Sequence, residues 1–496
     1  MAEEKSKGLP MTARWDPEML VKQTETLKEL QQKPLLTRIR GYMNLTGPAW
    51  LQSAMTLGAG SATASVVAGR FFGYQFLWVQ PLAMFLGVMM LAALGNIVLS
   101  TGERPYRSFA RELHPIVPLL WAIGTIVASI VWHFPQYTLA AAVTWDLAQV
   151  AGAQTDAHSV ELAVKIGIGL AILGINIFTT WNYGSGARGI KIYEGFLRWT
   201  IRLVILAFLA VVVMTPIDWM GVLRGFFTFQ LPKDPLATTT VLGAIGAAVG
   251  INMTFLYPYS MLAKGWGRYH KGLSRWDLFS SMFLPYTILT SLIIIAMAAT
   301  GYDPAVPATP QAVGAFSPQN AAQALSSIFS SSLGRVIFDL GFLGMALGAI
   351  STHMVVCGFT MCEMLGLEYT VTRYRLFTLI PAIGVMGVVW KAPFWLPVAA
   401  SAICLTMMPF VYLTFFVLNN KRSFIGDAVG RGWTRAAFNF VLLLAIAATT
   451  IGTAVKIKTG VIDKVWPKAT GAPASNPAEP VNSPPDAAAP VEPAAK

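Results

Sequence analysis

Apolar residues gather in eleven segments, each long enough to cross a bilayer as a helix. They lie at about 46–70, 74–100, 115–149, 161–181, 193–215, 237–263, 276–300, 334–364, 375–391, 394–419 and 435–456. Residues 1–43 are polar, with Trp15, Met19, Leu20, Leu27 and Leu30 at a loosely amphipathic spacing. From Ala469 onward Pro, Ala, Ser and Asn dominate, a composition that cannot build a core and is expected to be disordered. The expected organisation is a polar N-terminal segment over 1–43, a transmembrane unit over 44–458 and a Pro/Ala-rich tail over 459–496.

Composition narrows the class. Of the 496 residues 55% are hydrophobic and 12% charged, about half the charge of an ordinary soluble domain. The net charge of +12 could suggest nucleic acid, but it sits in short loops between apolar spans, where it sets orientation. Arg104, Arg107 and Arg111, then Lys264, Arg268, Lys271 and Arg275, then Lys421, Arg422, Arg431 and Arg435 all fall on one side. The opposite loops at 151–160 and 300–320 carry Asp156 and Asp303 and neither Lys nor Arg. The positive-inside rule then places the N-terminus in the cytoplasm and the tail outside. Short loops are compatible with a bacterial inner membrane. Cys357, Cys362 and Cys404 have no paired spacing, so neither a disulfide nor a metal cluster is expected from them. No nucleophile-and-base pair stands at helical spacing, and no cofactor motif is present, so an enzyme is not expected.

Two spans read as interrupted. The first, GPAWLQSAMTLGAGSATASVVAG, puts Gly58-Ala59-Gly60-Ser61 at mid-depth. The sixth, VLGAIGAAVGINMTFLYPYSML, carries Gly250, Asn252, Thr254 and Pro258 across its middle. Glycine lowers the cost of unwinding, and proline removes a backbone donor. The two spans are five apart, at corresponding places in two five-span halves. Such a pair points to a transport site at the membrane midplane.

The segment GPAWLQSAMTLGAGSATASVVAGRFFGYQFLWV resembles the first span and following turn of the Nramp divalent-metal transporters, which read G-P-[AG]-F, D-P-G-N, A-G and F-G-Y-x-L-L-W-V. Weaker similarity continues through GFLGMALGAISTHMVVCGFTMCEML and LTMMPFVYLTFFVLNNKRSFIGD, so the likeness covers roughly 40–440. It implies an all-α, LeuT-like membrane fold of two inverted five-helix repeats plus an eleventh helix, with helices 1 and 6 broken. It also marks where this chain departs from the family. The metal-ligand Asp becomes Gly58, its Asn becomes Ser61, and only Gly60 persists. The sixth-span Met falls on Gly250 or Asn252, and the His on Asn252 or Thr254. The acidic third-span motif becomes His133-Phe134-Pro135-Gln136, and the tenth-span Gln becomes Met407.

Every carboxylate of the family site is replaced. A divalent cation stripped of water needs anionic oxygens or good nitrogen or sulfur donors, and hydroxyls with amides alone leave it undercompensated. The expected substrate-binding residues are Thr56, Gly58, Ser61, His133, Gln136, Tyr137, Asn252, Thr254, Tyr257, His353 and Met407. Neutral donor–acceptor groups beside aromatic faces suit a small neutral hydroxylated solute, a monosaccharide such as glucose, moved by alternating access. A divalent metal, Mg²⁺ or Mn²⁺, with or without proton coupling, is the alternative, and a non-transporting sensor is a further one. If protons are coupled, His133 is the expected carrier, since imidazole titrates near neutrality.

Overall fold

Helices form where the apolar pattern places them, and the computed structural model describes residues 17–153, 157–183, 186–231, 235–309, 312–313, 331–389 and 396–458. Trp15, Asp156 and the tail from 459 lie outside the described residues. Two helices, α1 (Pro17–Gln32) and α2 (Leu35–Met43), precede the membrane unit. Among the described residues, nine helices are long and apolar enough to cross a membrane. The first and tenth spans, each split into two shorter helices, bring the crossings to the expected eleven.

The first span is α3 (Pro48–Thr56) and α4 (Ala59–Phe72). Pro48 opens α3, where its missing N–H would have had no helical partner. Between the halves Gly58 is extended, at φ −119° and ψ −163°. The sixth span is α11 (Pro235–Ala248) and α12 (Ile251–Ala263), parted at Gly250 with φ −96° and ψ 166°. Both expected breaks are present, but Pro258 makes neither. It lies inside α12, whose residues are all buried, and the surrounding packing keeps the helix intact across the one lost backbone bond.

A third interruption departs from expectation. The tenth span divides into α17 (Leu396–Leu405) and α18 (Met408–Asn420), with Thr406 and Met407 between them. (The labels α5, Val79–Thr101; α6, Pro105–Glu112; α7, Ile116–Val150; α8, His158–Tyr183; α9, Ala187–Met214; α10, Trp219–Phe227; α13, Lys271–Leu278; α14, Leu284–Gly301; α15, Ser331–Met364; and α16, Val371–Thr378 fill the order between, and α19, Gly432–Ile457, closes it.) The ninth span is also irregular. After α16 it continues as a 3₁₀ helix over Ile380–Val388. Gly384 and Gly387 there lie against the backbone of His133 and Phe134 on α7, leaving no room for a β-carbon.

The broken helices occupy the middle of the bundle. α4 packs on α14 and α11, α11 on α17, and α3 on α15 and α9, while α7 and α15 run along each other. Large apolar side chains such as Val213, Phe440 and Ile451 are exposed on the outer helices α9 and α19, as a lipid-facing surface requires.

Candidate functional site

The two breaks are stitched to each other by their own polar groups. Unwinding leaves the last carbonyls of α3 and α11 and the first N–H groups of α4 and α12 without ladder partners. Thr56 Oγ1 donates to Ala247 O at 2.7 Å and to Ala248 O at 2.9 Å, joining the end of α3 to the end of α11. Ser61 Oγ donates back to Thr56 O at 2.7 Å. The Ala59 N–H donates to Gln136 Oε1 on α7 at 2.8 Å. In the sixth span the Met253 N–H donates to Asn252 Oδ1 at 3.0 Å, and the Gly250 N–H to Met253 Sδ at 3.2 Å. These bonds answer backbone groups that the two buried breaks would otherwise leave open, as an apolar interior favours.

Between the breaks lies a cavity of about 20 Å³, room for about one water-sized group. Of the expected residues, Thr56, Gly58, Ser61, Gln136, Asn252 and His353 line it. Met55 and Met253 line it too, and sequence reasoning missed both. They adjoin Thr56 and Asn252 in the chain, but an unwound backbone has no fixed side-chain period to show which neighbour turns inward. No Asp or Glu is among the described residues of the lining, and no cluster of three or more His, Cys, Asp or Glu forms among the described residues. Two polar groups of the lining stay unpartnered among the described residues, Asn252 Nδ2 and His353 Nδ1.

The other expected residues are placed elsewhere. Thr254 Oγ1 accepts from Trp121 Nε1 at 2.9 Å and donates to Ile251 O, so it closes the α12–α7 contact. Tyr257 Oη pairs with Ser274 Oγ at 2.7 Å, away from the cavity. Tyr137 is buried in an apolar cluster with Ile172, Ile350 and Met354. The Met407 sulfur faces Gly124 of α7. His133 does not line the cavity; its ring lies 5.4 Å from that of His353, centroid to centroid. His133 Nδ1 is 2.9 Å from Ser129 O. A carbonyl only accepts, so Nδ1 carries the proton there, and Nε2 faces the interior as a lone pair.

Buried carboxylates stand at either end of the bundle. At one end Glu363 on α15 accepts from Tyr369 Oη at 2.9 Å and has Arg104 and Arg107 at 3.6 and 3.9 Å. At the other, Asp146 on α7 takes a bidentate hydrogen bond from Arg335, with buried Asp339 beside them.

Comparison with known proteins gives a consistent answer. The family described as Nramp, natural resistance-associated macrophage protein-like, matches residues 49–455. The divalent metal cation transporter MntH of Acidiphilium cryptum is 23% identical over 435 residues, covering 83% of this chain and 93% of that protein. Among solved structures, the Eremococcus coleocola manganese transporter superposes with a TM-score of 0.66 at 13% identity, covering 94% of this chain and 92% of that one. MhsT, solved with L-phenylalanine, superposes at 0.55 and 14% identity over 82% of this chain and 98% of that one. These likenesses bear out the LeuT-like fold.

They also correct the expected cargo. A small neutral solute, a sugar above all, is overturned by relatives named divalent metal cation transporters. The physical reason lies in the lining. Among the described residues the lining holds no Asp or Glu, but it does hold Met55, Met253 and His353, around a space too small for a hexose.

Proposed function

The chain belongs to the Nramp family, and on that premise we propose that it is a divalent metal cation transporter working by alternating access. It is an integral membrane protein; we place it in a bacterial inner membrane, N-terminus inside and C-terminal tail outside. The basic loops around Arg104, Lys264 and Arg422 support that orientation.

One observation carries the cargo assignment: Met55, Met253 and His353 converge on a single small cavity at the junction of two broken helices. Thioether and imidazole donors suit soft and borderline metal ions best, Mn²⁺ less well, and Mg²⁺ or Ca²⁺ poorly. Side-chain partners screen both sets of helix ends at the break: Thr56 and Ser61 donate to the last carbonyls of α11 and α3, and Gln136, Asn252 and Met253 accept N–H groups at the starts of α4 and α12. Asn252 Nδ2 is left to donate to a water that the ion keeps. A neutral donor set implies weak binding of a partly hydrated ion, because no carboxylate offsets the desolvation of its charge.

Uptake into proteoliposomes tests the assignment. Saturable entry of Mn²⁺ and Cd²⁺, with Mg²⁺ and Ca²⁺ discriminated against, is the expected result. Protein that inserts and folds but moves neither Mn²⁺ nor Cd²⁺ above empty vesicles would refute it.

A further inference from the structure

A second cavity, of about 440 Å³, lies away from the broken helices, where α1, the approach to α3 and the start of α9 meet the end of α12. Its charged lining is lopsided: Lys22, Lys191, Arg198 and Lys264 against Glu194. Lys264 Nζ donates to Glu194 Oε2 at 2.7 Å, which cancels one cation. Three positive charges then face the space with no carboxylate opposing them among the described lining residues.

The inner wall is built rather than incidental. Gly47 allows the Lys264–Glu194 pair to press against the backbone entering α3, since a β-carbon there would collide with both side chains. Arg198 is held by donation to Thr46 O at 3.1 Å and lies over the Trp50 ring, 5.6 Å from its centroid. Its Nε has no partner among the described residues. Glu194 is only 4% exposed, and its Oε1 likewise has none. Leaving such buried atoms unanswered is unfavourable, and the cavity is where an answering ligand would sit.

The chemistry required is specific. Cations with a free guanidinium N–H call for an anion with several acceptor oxygens, as phosphate has. The orphan carboxylate oxygen calls for a hydrogen-bond donor on the same ligand. We propose that this cavity binds a phosphate ester bearing a hydroxyl, of which a glycerol-phosphate group is the simplest form. Such a group is offered by the headgroup of an anionic phospholipid or by a soluble glycerol phosphate. The surroundings favour the lipid. Ile192 and Trp199, next in the chain to Lys191 and Arg198, are exposed apolar residues, as is Met43 beside the lining residue Asn44. That combination belongs at the level of lipid headgroups. A bound headgroup would tie α1 to α9 and brace the entry to α3, independently of which cargo the midplane site carries.

The test uses the full chain purified in detergent, with thermal unfolding as readout. The probes are phosphatidylglycerol, phosphatidylcholine and glycerol 3-phosphate, applied to wild type, to the double variant Lys22→Gln/Lys191→Gln and to Arg431→Gln. Lys22 and Lys191 are exposed, so their loss leaves the folded core intact. Phosphatidylglycerol should raise the Tm of wild type saturably, and the double variant should need on the order of tenfold more lipid for the same rise. Arg431→Gln, which removes an exposed cation on a different loop, should behave as wild type. A saturable shift with glycerol 3-phosphate, lost in the double variant, assigns the site to the soluble ester, and a shift with phosphatidylglycerol alone assigns it to the lipid. Equal shifts with phosphatidylcholine, no shift with either glycerol-phosphate probe, or equal weakening by Arg431→Gln each overturns the proposal.

Discussion

The amide of Gln136 occupies the place of a side chain at residue 58. Its Oε1 holds the Ala59 N–H at 2.8 Å, and its Nε2 would lie 2.5 Å from a β-carbon on Gly58. The Ala349 methyl would be 2.8 Å away on the other side. Glycine at 58 and glutamine at 136 are therefore one solution to one space.

Gly58→Asp should be destabilising by about 1–3 kcal/mol, the range for forcing atoms into a packed interior. The double variant Gly58→Asp/Gln136→Ala should recover much of that loss, because the amide is gone. It should also bind Mn²⁺ more tightly, since a carboxylate then faces the cavity. Thermal unfolding and Mn²⁺ titration of both variants check this. A double variant no more stable than the single one would break the proposed link between the positions.

Met253→Leu keeps the volume and removes the sulfur. Under the metal reading, Cd²⁺ uptake should fall roughly tenfold relative to Mn²⁺, whose preference for thioether sulfur is weaker. The measurement is competitive uptake of the two ions in proteoliposomes, and an unchanged ratio would take Met253 out of the coordination shell.

Thr56→Val should loosen the joint between α3 and α11. It leaves the carbonyls of Ala247 and Ala248 without the hydroxyl that now serves both, a loss of about 1–3 kcal/mol for buried unsatisfied groups. Thermal unfolding should show the loss. Thr56→Ser keeps the hydroxyl and should stay close to wild type.

Asp277 fixes the start of α3 from α13, its two carboxylate oxygens accepting the Gly47 N–H at 3.1 Å and the Ala49 N–H at 2.9 Å. Asp277→Leu removes both acceptors from a buried helix start and should cost about 2–4 kcal/mol. Hydrogen exchange confined at first to residues 47–56 is the expected signature. Uniform exchange along the chain would mean the carboxylate braces the whole bundle instead.

Glu112, at the end of α6, is held below the ordinary carboxylate range chiefly by its hydrogen bond from Lys421, whose Nζ is 3.0 Å away. A depressed carboxylate contributes stability above its unfolded pKa and loses it as the pH falls through the folded one. The Tm difference between wild type and Glu112→Gln should therefore be present at neutral pH and close under acid. The effect should be small, since the pair is partly solvated. A difference that persists in acid would assign it to packing.

Much of this protein was legible along the chain because the bilayer enforces a simple rule. Backbone groups in hydrocarbon must be satisfied within the segment, so spans show as apolar runs, and a glycine-rich gap at mid-depth shows as a break. The breaks near Gly58 and Gly250, the eleven crossings and the family resemblance all came from that pattern and from GPAW…FGY. The break at Thr406–Met407 was hidden, because neither glycine nor proline lies within those two residues. Pro258 misled in the other direction, because a fully buried helix can absorb a proline.

Apolar runs and the first-span motif were enough to place the spans, the two matched breaks, the family and the loss of carboxylates where the family keeps them. What replaces those carboxylates depended on packing between distant segments. Met55 and Met253 stand beside the expected positions rather than on them, and His353 arrives from a helix a hundred residues from Asn252. An unwound segment turns its side chains according to where its backbone is satisfied, and the Thr56 and Gln136 bonds that do this reach across to elements distant in the chain. Spacing along the chain therefore fixed where the site is, while packing across it fixed which atoms line it.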